Sequence, residues 1–295
     1  MTTANKIVIS ASRRTDIPAF YLAWFMGRIK MGFFEVSNPF NQRVTQVPAT
    51  PDKVHTIVFW SKNFDPFLEE QIGERLQQAG YNLFFNFSVN SHNPVLEPNL
   101  PPLADRLDQM KRLCDRFGPD TVNWRFDPIC FFKTSAGVIE NNLHDFAYIS
   151  EHASRWGIKR CITSFMDHYQ KIKRRLSSMP GFEFVDPPLK KKLEVTLNLE
   201  NELKAKHIQL SACCEKEIIQ ALPPHSTVTN SSCIPNDLLM ELYGGHLSLK
   251  KDTGQRVKAG CGCKVSVDIG SYQDHPCYHN CLFCYANPAS GCLRK

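Results

Sequence analysis

Two short runs, Ile57-Val58-Phe59 and Leu83-Phe84-Phe85, most restrict what this chain can fold into. Each is apolar at every position, so a strand made from it must be buried on both faces. A strand with one wet face would alternate apolar and polar residues. Similar runs recur along the chain. Lys6 to Ser10, Phe33 to Val36, Val54 to Trp60, Tyr81 to Val89, Thr121 to Ile129, Ile158 to Phe165 and His207 to Ala212 read as seven strands, the second ended by Asn38-Pro39. Helical-period segments separate them. Pro18 opens one that Gly32 stops, and Asp65 and Pro66 open another that Gly80 stops. Leu103, Leu107, Met110, Cys114 and Phe117 form one face of a third.

This alternation predicts an α/β fold, a mostly parallel sheet with helices packed outside it. A (β/α) barrel or partial barrel over residues 1–222 fits best. A doubly wound open sheet is the alternative, since strand order is not written in a single sequence. The strand ends carry Arg13, Arg14 and Asp16, then Lys62 and Asn63, Asn86 and Ser88, Arg125 and Asp127, and Ser164 and Asp167. Barrel enzymes build their sites on that rim. Trp124-Arg125-Phe126-Asp127-Pro128, where charges alternate with aromatics, is hardest to explain as simple solvation.

From Cys213 the composition changes. Pro223-Pro224 marks a boundary, and residues 223–295 form a cysteine-rich segment expected to pack on the barrel mouth. Of the chain's 12 cysteines, all but Cys114, Cys130 and Cys161 lie at or beyond Cys213. Those three sit on apolar patterns and read as core residues. The N-terminal residues lack a signal peptide's apolar core, and no apolar run approaches the ~20 residues needed to span a bilayer. The expectation is therefore a cytoplasmic protein with no membrane partner. In reducing cytosol, clustered thiols point to metal or redox chemistry rather than disulfides. The net charge of +6, gathered at Lys171 to Arg175, Lys190 to Lys192 and Lys250 to Lys258, reads first as solvated faces and second as a weakly supported nucleic-acid surface.

The strongest motif is Cys277-x₃-Cys281-x₂-Cys284, followed by Tyr285. Three thiolates on one loop can hold three irons of a [4Fe–4S] cluster and leave the fourth open for chemistry. Zinc competes, with His275 or His279 completing a ligand set. A second set comprises Cys213, Cys214, Cys233, Cys261 and Cys263. Four of these, read as Cys233, Cys261, Cys263 and Cys214, could close a second iron–sulfur cluster or a zinc site. Cys213 and Cys214 would face opposite ways if their strand persisted, so only one of them is expected to ligate. Cys292 stays unassigned.

The triplet resembles the cluster loop of the radical S-adenosylmethionine (SAM) enzymes, displaced from the N-terminal to the C-terminal end. The chain as a whole resembles a mainly bacterial family classed as a domain of unknown function, whose C-terminal cysteines mimic that loop. The resemblance runs through Ser10 to Pro18, Val58 to Asn63, Arg125 to Pro128, Ala212 to Glu215, Gly254 to Gly270 and Cys277 to Ala286. It implies a circularly permuted radical-SAM-like barrel, with Val265 to Ile269 as the strand carrying the cluster loop. It further implies SAM as cofactor and a reductase such as flavodoxin or ferredoxin as partner. Arg13, Arg14, Lys62 and Arg125 are then candidates for the SAM carboxylate. Asp16, Asn63 and Asp127 would orient them or bind ribose, and Trp60 and Tyr285 would wall the adenine or cluster. The other readings are an iron–sulfur nucleic-acid-binding or repair protein and a redox protein that does not cleave SAM.

Overall fold

The computed structural model describes residues 6–37, 43–135, 137–177 and 179–287; Asn38, Pro39 and Cys292 lie outside them. One eight-stranded sheet organises the chain. Its strands are β1 (Ile7–Ala11), β2 (Val54–Ser61), β3 (Asn82–Ser88), β4 (Val122–Ile129), β5 (Arg160–Phe165), β6 (Gln209–Ala212), β7 (Thr229–Asn230) and β8 (Val267–Asp268). Their order is β7-β6-β5-β4-β3-β2-β1-β8. Every neighbouring pair is parallel.

From β1 to β7 each new strand is added on the same side of the last, and β8 is then added on the other side of β1. The sheet does not close, because β7 and β8 are its two edges. Among the expected strands, Phe33–Ser37 is absent from the sheet and pairs with Val44–Pro48 as a separate antiparallel hairpin. Both edge strands instead come from the cysteine-rich segment.

The crossovers are helical. α1 (Ile17–Phe20) and α2 (Leu22–Met31) follow β1, and α3 (Asp65–Glu69) and α4 (Ile72–Gln78) follow β2. The Asp65–Gly80 segment is two helices rather than one, because Gln71 takes a left-handed conformation between them. α5 (Leu103–Phe117), α6 (Phe146–Arg155), α7 (Gln170–Leu176), α8 (Leu189–Lys204), α9 (Lys216–Ala221) and α10 (Asn236–Tyr243) complete the set.

Right-handed crossovers that always advance in one direction place their helices on one face of a sheet. That face carries Ile9, Ala11, Ile57, Phe59, Phe85, Phe87, Trp124 and Phe126, all in the main core, where Cys114 and Cys161 are also buried. The opposite face carries Val8, Val58 and Phe84, which pack against Ile234 and Leu239 from the C-terminal segment. The chain covers its second sheet face with its own tail, which is why these strands are apolar throughout.

Candidate functional site

The ends of β1 to β6 and the tail enclose a cavity of about 900 Å³. Arg13, Asp16, Trp60, Lys62, Arg125, Asp127 and Tyr285 line it, and so do all three triplet cysteines. Cys213, Cys214, Cys233, Cys261 and Cys263 line it as well. Two separately read cysteine sets therefore share one cavity.

The triplet loop is fixed from several sides. Arg175, on α7, donates to the carbonyl oxygens of Leu282 (2.5 Å), Cys284 (3.2 Å), Cys281 (3.4 Å) and Asn287 (3.4 Å). This basic residue thus ties α7 to the triplet loop. Tyr21 donates to Pro276 O at 2.6 Å and Asn99 to Tyr278 O at 2.8 Å. The Ala286 N–H points at Cys284 Sγ, 3.4 Å away. Burial pushes the thiols of Cys277, Cys281 and Cys284 up, while the Lys62 ammonium pulls all three back toward the thiolate.

Asp16 is the tie between the loop and the sheet. Its carboxylate accepts from Ser61 Oγ (2.7 Å), the Lys62 N–H (2.8 Å) and the Ala19 N–H (3.0 Å), and it contacts His279 Nε2 at 2.7 Å. His279 lies between two triplet cysteines, so this contact joins β1, β2 and the tail at one buried point. Asp16 already has a full set of partners in the folded chain.

Lys62 forms a 2.6 Å ion pair with Glu97, with side chains 16% and 3% exposed. Burial opposes its charge, but Glu97 and Cys281 outweigh that and hold its pKa above the ordinary value. Two guanidinium groups lie over the Trp60 ring, Arg125 at 5.0 Å and Arg13 at 5.8 Å from its centre. Arg125 is buried, ion-paired with Asp127, and donates to Cys233 Sγ at 2.5 Å. Asp127 also accepts from Ser164 Oγ. Tyr285 donates to Arg13 O at 2.9 Å.

Two candidates stand apart from the cavity lining. Arg14 donates to Gly270 O at 3.1 Å and faces Asp268. Asn63 accepts from Gln109 Nε2 at 2.9 Å and from the Asp65 N–H at 3.2 Å. Both hold loops in place.

The second cysteine set forms a ring. Cys213 Sγ is 3.8 Å from Cys214 Sγ and 4.0 Å from Cys233 Sγ. Side-chain contacts then run from Cys233 to Cys263, Cys263 to Cys261, and Cys261 to Cys214. The expectation that only one of Cys213 and Cys214 takes part does not hold for this packing. β6 ends at Ala212, and Cys214 has φ 61°, a turn that brings both thiols to one side. A strand continued past Ala212 would turn Cys213 away from Cys214, and it is the end of β6 that removes this constraint. Among the described residues no disulfide forms, and no three His, Cys, Asp or Glu side chains already converge on a single ion position.

Five buried polar atoms without a hydrogen-bond partner belong to this cavity: Arg13 Nε, Thr15 Oγ1, Trp60 Nε1, Lys62 Nζ and His279 Nδ1. Lys62 Nζ has its ion pair, but not in hydrogen-bond geometry. Buried polar groups are ordinarily satisfied, so such a cluster marks a place for a polar ligand.

Fold and site define a class: an α/β protein with a single open parallel sheet and two cysteine sets facing one cavity at the strand ends. The chain belongs to the DUF1848 family, a domain of unknown function whose model matches residues 8–286. No curated protein matches the sequence. No helix among the described residues is long and apolar enough to cross a membrane.

Proposed function

We propose that this protein is an iron–sulfur enzyme of radical-SAM-like type, built on a permuted partial barrel. The observation that carries the reading is the opening of Cys277, Cys281 and Cys284 into a cavity of about 900 Å³ that also holds Lys62, Arg13 and unpartnered polar atoms. The volume suits a nucleoside-sized ligand beside a cluster. β8 lies beside β1 at the sheet edge and leads into the triplet loop, the position that the first barrel strand occupies in radical-SAM enzymes.

The three thiolates would hold a [4Fe–4S] cluster with one iron open. When bound, such a cluster supplies the electron that cleaves the sulfonium of SAM. The chain's own part is to bind, orient and exclude water. Lys62 faces the three sulfurs and offers a cation to the SAM carboxylate. Arg13 is a second cation for it, with Arg125 behind Trp60. Trp60, held by the two guanidinium groups, would border the adenine with its ring edge and its unpartnered indole N–H. A flavodoxin- or ferredoxin-type reductase would supply the electron.

The test is anaerobic purification and reconstitution, followed by reduction with dithionite and addition of SAM. The expected result is a [4Fe–4S]⁺ EPR signal that SAM alters, with 5′-deoxyadenosine accumulating. An unaltered signal with no 5′-deoxyadenosine rules the reading out. In a Cys277→Ala/Cys281→Ala/Cys284→Ala variant, iron falls by about four per chain.

A further inference from the structure

We propose that the five-thiol ring of Cys213, Cys214, Cys233, Cys261 and Cys263 is a second, all-thiolate metal centre, separate from the triplet. Four of its members are buried, at 8%, 2%, 5% and 3% exposure for Cys213, Cys233, Cys261 and Cys263, and Cys214 is half-buried. The five residues come from three distant stretches of chain. The end of β6, the Ser231–Ile234 turn and the Cys261–Cys263 loop meet beside Ile162 and Trp60. Core packing rarely gathers five sulfurs in this way, because an apolar side chain would fill the same space without the risk of oxidation.

Two sulfur separations match those of thiolates bound to one metal. Two sulfurs on one tetrahedral zinc stand about 3.8 Å apart, given a Zn–S bond of about 2.3 Å. The Cys213–Cys214 and Cys213–Cys233 separations are 3.8 and 4.0 Å. Each thiol touches two others in the ring, and closing four of them on a metal requires them to turn toward a common centre. No imidazole or carboxylate belongs to the ring, and an all-sulfur tetrahedral set selects zinc or an iron–sulfur cluster.

The surroundings fit a negatively charged thiolate assembly. Arg125 donates directly to Cys233 Sγ. Arg13 lies on the Cys263 side and Arg256 on the Cys214 side. Hydrogen bonds also fix the backbone that carries the thiols: Asn86 donates to Cys233 O at 2.9 Å, and the Gly262 N–H donates to Ser231 O at 3.2 Å. The ring packs in one cluster and Cys281 and Cys284 of the triplet in another, yet both sets line one cavity. The second centre would therefore wall the cavity without sharing ligands with the first.

The experiment uses the full-length Cys277→Ala/Cys281→Ala/Cys284→Ala variant, purified anaerobically and assayed for zinc, iron and acid-labile sulfide. The proposal expects either about one zinc per chain or iron with matching sulfide. These two results distinguish the forms of the same thiolate site. Adding Cys233→Ser and Cys263→Ser should abolish the metal. As a second readout, Co²⁺ added to the apo form of the triplet variant, checked for native far-UV circular dichroism, should give thiolate-to-cobalt charge-transfer absorption. Metal well below stoichiometric in the triplet variant, together with no such absorption, overturns the proposal. Because the triplet is absent from these proteins, failure here is distinct from failure of the SAM reading.

Discussion

At the scale of single residues, the charged candidates divide into those facing the cavity and those holding the frame. Lys62 does both. Removing one partner of a buried ion pair leaves the other charge without compensation, at a cost of about 3–5 kcal/mol. Lys62→Met should therefore lower stability by about that much through stranded Glu97, read as a lower urea midpoint at unchanged m-value. The double variant Lys62→Met/Glu97→Leu should recover most of the loss while leaving SAM binding impaired. If the single variant is as stable as the parent, the 2.6 Å pair is not structural. Asp16, by contrast, is already saturated by Ser61, Lys62, Ala19 and His279. Its place at a strand end pointed to a ligand, but the folded chain uses it as a fastening.

At the scale of elements, two contacts show how loops are held to the sheet. Glu200 on α8 accepts from Ser226 Oγ at 2.9 Å and the Thr227 N–H at 2.5 Å, and pairs with Lys204 at 2.8 Å. Burial pushes its carboxyl up, but Lys204, the Thr227 N–H and the two hydroxyls outweigh this and bring its pKa from 4.5 to about 2. A depressed carboxylate stabilises the fold above its unfolded pKa, and that contribution is lost as pH falls from about 4.5 toward about 2. The contribution is on the order of 1–2 kcal/mol after solvent screening. Glu200→Gln should remove it at pH 7 and flatten the acid limb of the stability curve, followed by urea titration at stepped pH. The second contact is Gly262. A Cβ there would lie 2.5 Å from Ser231 O, a backbone atom that cannot swing away. Gly262→Ala should cost about 1–3 kcal/mol by overpacking. It should also lower metal content at the five-thiol ring more than at the triplet, as read by metal analysis.

At the scale of the whole molecule, the tail completes the sheet. It supplies β7, β8 and the cover over Val8, Val58 and Phe84. A chain ending at residue 222 would expose that apolar face to water. It should aggregate or bind a hydrophobic dye strongly, whereas the full chain should unfold in one cooperative transition. A soluble, cooperatively folding fragment would show that the inner face does not need its cover.

The sequence by itself determined the strand–helix alternation, six of the eight sheet strands nearly to their ends, and the identity of both cysteine sets. These are local properties, set by apolar periodicity over a few residues and by spacing along the chain. The resemblance implied a strand over Val265 to Ile269, and β8 (Val267–Asp268) lies within it. The tertiary structure alone decided that Phe33–Ser37 leaves the sheet, that the sheet stays open, and that the tail covers its second face. It also decided that Cys213 joins the ring and that Asn63 and Arg14 serve loops. Each depends on contacts between distant segments, such as Asp16 with His279 or Arg125 with Cys233. Such contacts arise when packing brings remote stretches together, and no local period records which of them will meet.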